Sequence, residues 1–309
     1  MFNIDLLPPV FSLSGQFIAV NQATIWNFMP TWQPINLSSQ IFYSIFVFIW
    51  GLCVGSFANV CIYRLPMARS IVLPWSHCPH CNHLIAWFDN IPLFSFILLG
   101  GKCRSCKETI SKRYFLVELL TGVFFLIIFQ HYGFDVRTAV YWMVVTGLII
   151  GTFVDFDYMI IPDHITIGGI FTGLAFSFLF PSLHGVASHF AGFKSAFIGM
   201  LAGGMILWLV GEFGRLVFKK EAMGMGDVKL LAALGAFLGW QAVVFIIMIS
   251  SLAGAIAGIT MVLTGNKSMG SKIPFGPYLA LAALVWIMGG YEYWLNYLQW
   301  LNSLSFIAG

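Results

Sequence analysis

Acidic residues are scarce in this chain, twelve Asp and Glu among 309 residues, yet Asp155, Asp157 and Asp163 fall within nine positions of one another. Asp227 follows the turn-forming run Gly224-Met225-Gly226. Ionisable groups at the edge of an apolar segment cost free energy to keep there, so a convergent set calls for a chemical reading. Two carboxylates brought close do not both ionise readily, which leaves one proton shared between an acid and a base. That is the equipment for activating water against a peptide bond. Buried carboxylates also serve proton and ion pathways, and the residue types alone leave both readings open. Three of the aspartates have plainer roles as well. Asp163, after Pro162, has the place of a helix N-cap, and Asp227 can also act as one. Asp157, two residues from Asp155, points to the opposite side on any helical continuation and reads as a solvated loop residue. Other nucleophile systems are poorly represented: the chain has no H-E-x-x-H and no G-x-S-x-G, and no Ser-x-x-Lys dyad near an apolar face.

A second constellation is made of thiols. Cys78-Pro-His-Cys81 and Cys103-Arg-Ser-Cys106 are two C-x-x-C pairs separated by 21 residues. Each pair can grip two corners of a tetrahedron as thiolates while the intervening loop closes the site. Two disulfides are the alternative, which a reducing compartment disfavours. Four thiolates fill the coordination sphere of zinc and leave no place for a catalytic water, so the expected metal is structural. His77, His80 and His83 crowd the same segment; each is able to replace a thiol, but solvated histidines are the expectation. Cys53 and Cys61 read as buried small apolar residues of a helix.

The elements that carry these residues belong in lipid. The chain is 59% hydrophobic and 9% charged, against ~25% charged in an ordinary soluble domain. Apolar runs of about 20 residues, the length that spans ~30 Å of hydrocarbon, recur along it. They predict spans near residues 40–63, 114–130, 138–154, 164–182, 195–218, 228–240, 242–264 and 274–290. The expected fold class is an all-α polytopic membrane protein of about eight transmembrane helices with a small zinc-bound cytoplasmic insertion. Basic residues set the orientation, because Lys- and Arg-rich loops stay in the cytoplasm. With the N-terminus outside, thirteen of the fifteen Lys and Arg fall on cytoplasmic stretches and helix ends: Arg64, Arg69, Lys102, Arg104, Lys107, Lys112, Arg113, Arg215, Lys219, Lys220, Lys229, Lys267 and Lys272. Arg137 and Lys194 fall outside. All four aspartates then lie at the cytoplasmic edge. Residues 64–113 form a cytoplasmic insertion near the lower size limit for a domain that folds alone, for which a metal staple is apt. Residues 1–38 hold no Lys or Arg and so lack the basic region of a cleavable secretory signal. They are expected to form a surface-lying or extracytoplasmic extension before a first transmembrane helix at 39–63, and residues 291–309 a C-terminal tail. A transporter or assembly scaffold with intramembrane carboxylates is the alternative class; it needs polar residues deep inside several spans, whereas most charges here sit at the edges.

Several separate segments, taken in order, resemble the signatures of type 4 prepilin peptidases. They are Asn90-Ile91-Pro92-Leu93, Gly100-Gly101-Lys102-Cys103, Lys112-Arg113-Tyr114 with Val117-Glu118, Asp155 through Ile161-Pro162-Asp163, Gly224-Met225-Gly226-Asp227 with Lys229, and Pro274-Phe275-Gly276-Pro277-Tyr278. The similarity covers about residues 40–290. It implies catalytic aspartates at Asp155 and Asp227, a tetracysteine motif at Cys78, Cys81, Cys103 and Cys106, and an aspartic peptidase membrane core over 114–290. The implied substrates are prepilins and pseudopilins of type IV pili or type II secretion, met in the bacterial inner membrane with the active site facing the cytoplasm; membrane lipid is the other partner, and nucleic acid is not one. Many members of the family then methylate the new N-terminal amine with S-adenosylmethionine. No G-x-G-x-x-G or other nucleotide loop in this chain supports that step, so it rests on the resemblance, and a peptidase without methyl transfer is the near alternative. Helix ends suggest a division of labour, with Asp155 after the C-terminal end of one span as the proton holder and Asp227 at the start of another as the base.

Overall fold

The computed structural model describes residues 10–11, 17–18, 37–219, 223–264, 274–297 and 300. The expected N-terminal extension and C-terminal tail lie largely outside these residues, as do Lys220, Lys267 and Lys272. In chain order the helices are α1 (Leu37–Arg64), α2 (Phe94–Leu98), α3 (Lys112–Tyr132), α4 (Val136–Tyr158), α5 (Asp163–Leu179), α6 (His189–Phe218), α7 (Met225–Leu238), α8 (Trp240–Leu263) and α9 (Gly276–Val285), the last continued by a π turn over Trp286–Gly290. One two-residue antiparallel pair, Val10–Phe11 with Phe17–Ile18, is the only sheet among the described residues.

Local chemistry explains where the helices begin and end. The Ser111 side chain accepts Arg113 N–H at 3.3 Å and Asp135 accepts Arg137 N–H at 2.8 Å, so α3 and α4 open with N-caps that satisfy donors the first turn leaves over. The π turn frees a carbonyl near the end of the bundle, and the Tyr132 hydroxyl donates to Ile287 O at 2.7 Å.

All eight segments expected to span are helical. Five of them, α1, α3, α4, α6 and α8, are long and apolar enough to cross a membrane. The other three are shorter, with 17 and 14 residues in α5 and α7 and 10 in α9, beyond whose π turn helix resumes over residues 291–297. The bundle therefore has five helices of crossing length and three short apolar ones, where the sequence predicted eight spans. On α8 the large exposed residues are Trp240, Val244, Met248, Leu252, Ile256, Ile259 and Leu263, spaced three and four apart along one face. An apolar stripe of that length facing outward is a lipid-contacting surface. The chain is a multi-pass membrane protein.

The shortness of α7 follows from its surroundings. Every residue from Leu230 to Leu238 is buried, as expected of a helix that is apolar on all sides. At 1.5 Å per residue it is about 21 Å long, less than the ~30 Å of a hydrocarbon core. Its walls come within backbone contact: α6 crosses α7 where a Cβ on Gly199 or Gly235 would collide with the other residue's carbonyl oxygen. At its far end Ser177 of α5 donates to Ala236 O at 2.9 Å, His184 Nε2 lies 2.8 Å from Ser177 Oγ, and Ser195 of α6 lies 3.3 Å from His184 Nδ1. Ser177 has one proton and gives it to Ala236, so the imidazole must be the donor at Nε2 and the acceptor at Nδ1, the neutral tautomer. Burial favours the same form, pushing His184 down to about 4.

This packing makes opposite predictions for two glycines. Gly235→Ala is expected to destabilise the detergent-purified protein by about 3 kcal/mol or more, the upper range for overpacking. Gly168→Ala on α5, where a Cβ meets nothing within 4 Å, is expected to leave the thermal midpoint unchanged or raise it, since Ala is favoured over Gly in a helix by up to ~1 kcal/mol.

Candidate active site

The end of α4 and the start of α7 are shaped to present their aspartates. Met159 takes a left-handed conformation with φ of 56°, and its N–H bonds Asp155 O at 3.0 Å, which ends α4 one turn after Asp155. At the other end of the site Gly224 is the N-cap of α7, so Asp227 stands at the third helical position. From there its carboxylate reaches back to the Gly224 N–H, the half of a capping box that an acid supplies. Asp227 is thus not the N-cap itself.

A third segment completes the site. Gly276, the first residue of α9, donates its N–H to Asp155 Oδ2 at 3.1 Å. A Cβ on Gly276 would stand 2.7 Å from that oxygen and 3.0 Å from Ile161 Cδ1. A Cβ on Gly226 would meet Ile161 Cβ at 3.3 Å. Ile161 therefore fills the space between the two glycine turns, and both turns need the missing side chains to pack so closely. Asp155 and Asp227 are 5% and 9% exposed, near enough for the charge of one to act on the other. Neither has an ion-pair partner among the described residues.

The other two aspartates differ in every respect. Asp157 lies on the last turn of α4 rather than in a loop; it faces away from Asp155, is exposed, and pairs with Arg113 Nη1 at the start of α3. Asp163 is not the N-cap expected of it. Pro162, extended with ψ of 136°, takes that position, and Asp163 is the first helical residue, exposed and bonded to Lys229 Nζ at 2.7 Å. The two ion pairs tie α3 to α4 and α5 to α7 close to the aspartates that lack cations.

The Gly276 contact is the part of the site that sequence reasoning did not supply. It joins positions 121 apart, and the run Pro274-Phe275-Gly276-Pro277-Tyr278 was its only trace. It also bears on the division of labour drawn from helix ends. The carbonyl end of α4 and the N–H end of α9 both face Asp155, and they act on a carboxylate in opposite senses.

The four cysteines meet as two copies of one turn. Cys78 N–H bonds His83 O at 2.9 Å and Asn82 N–H bonds Cys78 O at 2.9 Å, while Cys103 N–H bonds Glu108 O at 2.8 Å and Lys107 N–H bonds Cys103 O at 3.0 Å. Asn82 and Lys107, each directly after the second cysteine of its pair, have φ of 56° and 62°. All four sulfurs lie within 4.8 Å of one another, with Cys78 and Cys106 3.8 Å apart. A tetrahedral ion with sulfurs at ~2.3 Å has S···S edges of ~3.8 Å, whereas a disulfide holds its sulfurs at ~2.05 Å. All six cysteines are free. Backbone N–H groups of Cys106 and then Ser105 lower the Cys103 thiol to about 6, toward the thiolate a metal requires. The group is therefore able to hold a metal ion. His77, His80 and His83 stand outside it, and the His77 ring bonds Trp75 O instead. Cys61 is buried in α1, but Cys53 is exposed on that helix, contrary to expectation.

A multi-pass helical bundle with an uncompensated carboxylate pair at one end, beside a metal-competent thiol module, defines a membrane protein built for proton chemistry at its surface. Comparison with known proteins narrows this. The bacterial peptidase A24 N-terminal domain matches residues 49–132 and the type IV leader peptidase family matches residues 142–259. A protein of Aeromonas hydrophila named prepilin leader peptidase/N-methyltransferase is 39% identical over 267 residues, 78% of this chain and 89% of its own length. Proteins of the same name from Pseudomonas aeruginosa and Pseudomonas putida are 39% and 33% identical over 275 and 296 residues, covering 81% and 89% of this chain and 91% and 100% of their own. No solved structure matches. The chain belongs to the type IV leader peptidase family.

Purified full-length protein is expected to carry about one thiophilic divalent ion per chain, as a closed four-thiolate site requires. Cys78→Ser or Cys103→Ser should lower the content measured by elemental analysis, and uptake should weaken as falling pH protonates the thiolates.

Proposed function

We propose that this protein removes the leader peptide of prepilins and pseudopilins at the cytoplasmic face of the bacterial inner membrane and then methylates the new N-terminal amine with S-adenosylmethionine. The observation that carries the reading is the contrast among the four aspartates: Asp155 and Asp227 are buried within reach of each other's charge and have no ion-pair partner among the described residues, while Asp157 and Asp163 are exposed and paired with Arg113 and Lys229. Family membership and the names of the relatives support the same reaction. Thirteen of fifteen basic residues favour the cytoplasmic side for the aspartates and for the insertion at 64–113.

The mechanism follows from one proton held between two carboxylates. The ionised member takes a proton from water as the water oxygen attacks the scissile carbonyl carbon, and the protonated member donates to the oxyanion that forms. When the tetrahedral intermediate collapses, the proton just taken from water passes to the leaving amine. The pair titrates as a unit, and we assign neither role to one residue. The metal of the cysteine group is zinc in this reading. With four thiolates its sphere is closed, so it holds the insertion and does no chemistry on the substrate.

Incubating purified protein with a prepilin, and following leader loss and an added methyl by mass spectrometry, tests the function. Asp155→Asn and Asp227→Asn are each expected to lower cleavage by ~10³-fold or more, with metal content and membrane insertion intact. Asp157→Asn and Asp163→Asn should stay within about tenfold of the unaltered chain, because they remove only positioning contacts. Full cleavage by either Asn variant of the buried pair would return the carboxylates to a transport role. A reporter fused after Lys107 is expected to read as cytoplasmic; an extracytoplasmic signal would invert the topology.

A further inference from the structure

Two polar ties hold the insertion over the ends of α1 and α3, a third braces it from within, and a space is left beneath it. Arg64, the last residue of α1, donates to Ser70 O at 3.0 Å and Pro74 O at 2.7 Å. Glu118 Oε2 on α3 accepts the Leu93 N–H at 2.9 Å. Arg104, inside the second cysteine pair, forks onto both oxygens of Asp89 at 2.7 and 2.6 Å. The cavity they frame has a volume of about 550 Å³, within the ~300–1,000 Å³ of small-molecule sites. Its lining combines the aromatic rings of Tyr63, Phe88 and Tyr114 with the Asn59 amide and the Glu118 carboxylate. A cavity of similar size, about 560 Å³, lies between α1, α4, α5 and α7, but its lining is mostly apolar and holds no carboxylate, with His164 its one ionisable side chain.

Glu118 stands out among the polar groups of the first cavity. It is buried at 8% exposure and, unlike Asp89, has no ion-pair partner among the described residues. The cavity wall is also tied to α4, the helix that carries Asp155. Tyr114 in its wall follows Arg113, and Arg113 bonds Asp157, two residues past Asp155. The cavity and the aspartates thus lie at the same end of α3 and α4, the end at which Arg113 and Asp157 pair.

We infer that the cavity beneath the four-cysteine module binds the methyl donor, a sulfonium nucleoside, and that Glu118 takes up the proton released in methyl transfer; the inference rests on the methyltransferase reading given above. Aromatic faces suit both a purine ring and a sulfonium cation. The amine nitrogen forms its new bond to the methyl carbon as the carbon–sulfur bond breaks, and the electrons of that bond stay on sulfur, so the donor leaves as a neutral thioether. The nitrogen then carries one proton too many, and the Glu118 carboxylate accepts it. The metal, on this account, matters to methylation by holding the lid of the donor site, with no contact to the reacting atoms.

Photolysis of the unaltered protein in detergent with an azidoadenine analogue of S-adenosylmethionine tests the location directly. Label is expected in residues 56–64, 84–96 or 109–118, and label confined to other segments overturns the site. Two variants test the parts. Ala86→Trp, which places an indole in the cavity wall, is expected to weaken S-adenosylhomocysteine binding in calorimetry by ~10-fold or more while leader cleavage continues. Glu118→Gln keeps an acceptor for Leu93 N–H and loses the charge; it should bind S-adenosylhomocysteine within a few-fold of the unaltered protein yet methylate ~10²-fold more slowly. Unchanged methylation by Glu118→Gln removes its role, and unchanged binding by Ala86→Trp counts against the cavity. An unaltered protein that cleaves prepilin but neither binds the analogue nor adds a methyl overturns the methyltransferase reading itself, and the site with it.

Discussion

The depth of one short helix governs the rest of the structure. Leu230 to Leu238 are buried throughout α7, and α6 approaches it so closely at Gly199 and Gly235 that neither position has room for a side chain. With its far end bonded to Ser177, α7 has no freedom to slide, and Asp227 at its third position is carried to a fixed level in the bundle. That level is where α4 ends and α9 begins. Burying two carboxylates near each other is unfavourable, and the bundle keeps them there because the three segments that meet at the site are each held elsewhere: α4 through the Arg113–Asp157 pair, α7 through Lys229–Asp163 and the glycine contacts, α9 through the Tyr132 bond to Ile287 O just past its end. Glycines at 226 and 276 let Ile161 and the start of α9 pack directly at the carboxylates.

The thiol module has a different physical task. Residues 65–111 contain little regular structure, only α2 and short 3₁₀ turns, and bury few large side chains, so the insertion has little core of its own. The paired C-x-x-C turns replace that core by converging four sulfurs on one point, the Arg104–Asp89 fork braces the insertion internally, and the Arg64 and Glu118 bonds fasten it to the membrane helices. A metal closed on all sides suits this task, since its coordination energy goes into folding.

Much of this was legible in the amino-acid sequence because the signals are local. Apolar runs located all eight bundle helices, and the repeated C-x-x-C spacing announced the convergence of the sulfurs. What the sequence hid is long-range or depends on burial. Hydropathy does not tell a lipid-facing helix from one sheathed in protein, so nothing in the sequence marks α7, 14 residues long and buried from Leu230 to Leu238, as different from its neighbours. Asp163 carried the local signature of an N-cap, but Pro162 took the place and Lys229, 66 positions away, took the carboxylate. The division of roles drawn within the aspartate pair counted the helix that carries Asp155 and not α9, whose first N–H arrives from residue 276.

The account stands on the claim that Asp155 and Asp227 share one proton and act as a unit. The pH dependence of kcat/KM for cleavage of a prepilin, measured with the full-length protein in detergent, tests it most directly. One shared proton predicts a bell-shaped profile, with the rate falling on the acid side when both carboxylates are protonated and on the alkaline side when both are ionised. Loss of the whole profile in Asp155→Asn and in Asp227→Asn alike assigns both limbs to the pair. A rate that climbs through a single ionisation to a plateau at high pH, or a bell that survives in either variant, would contradict it.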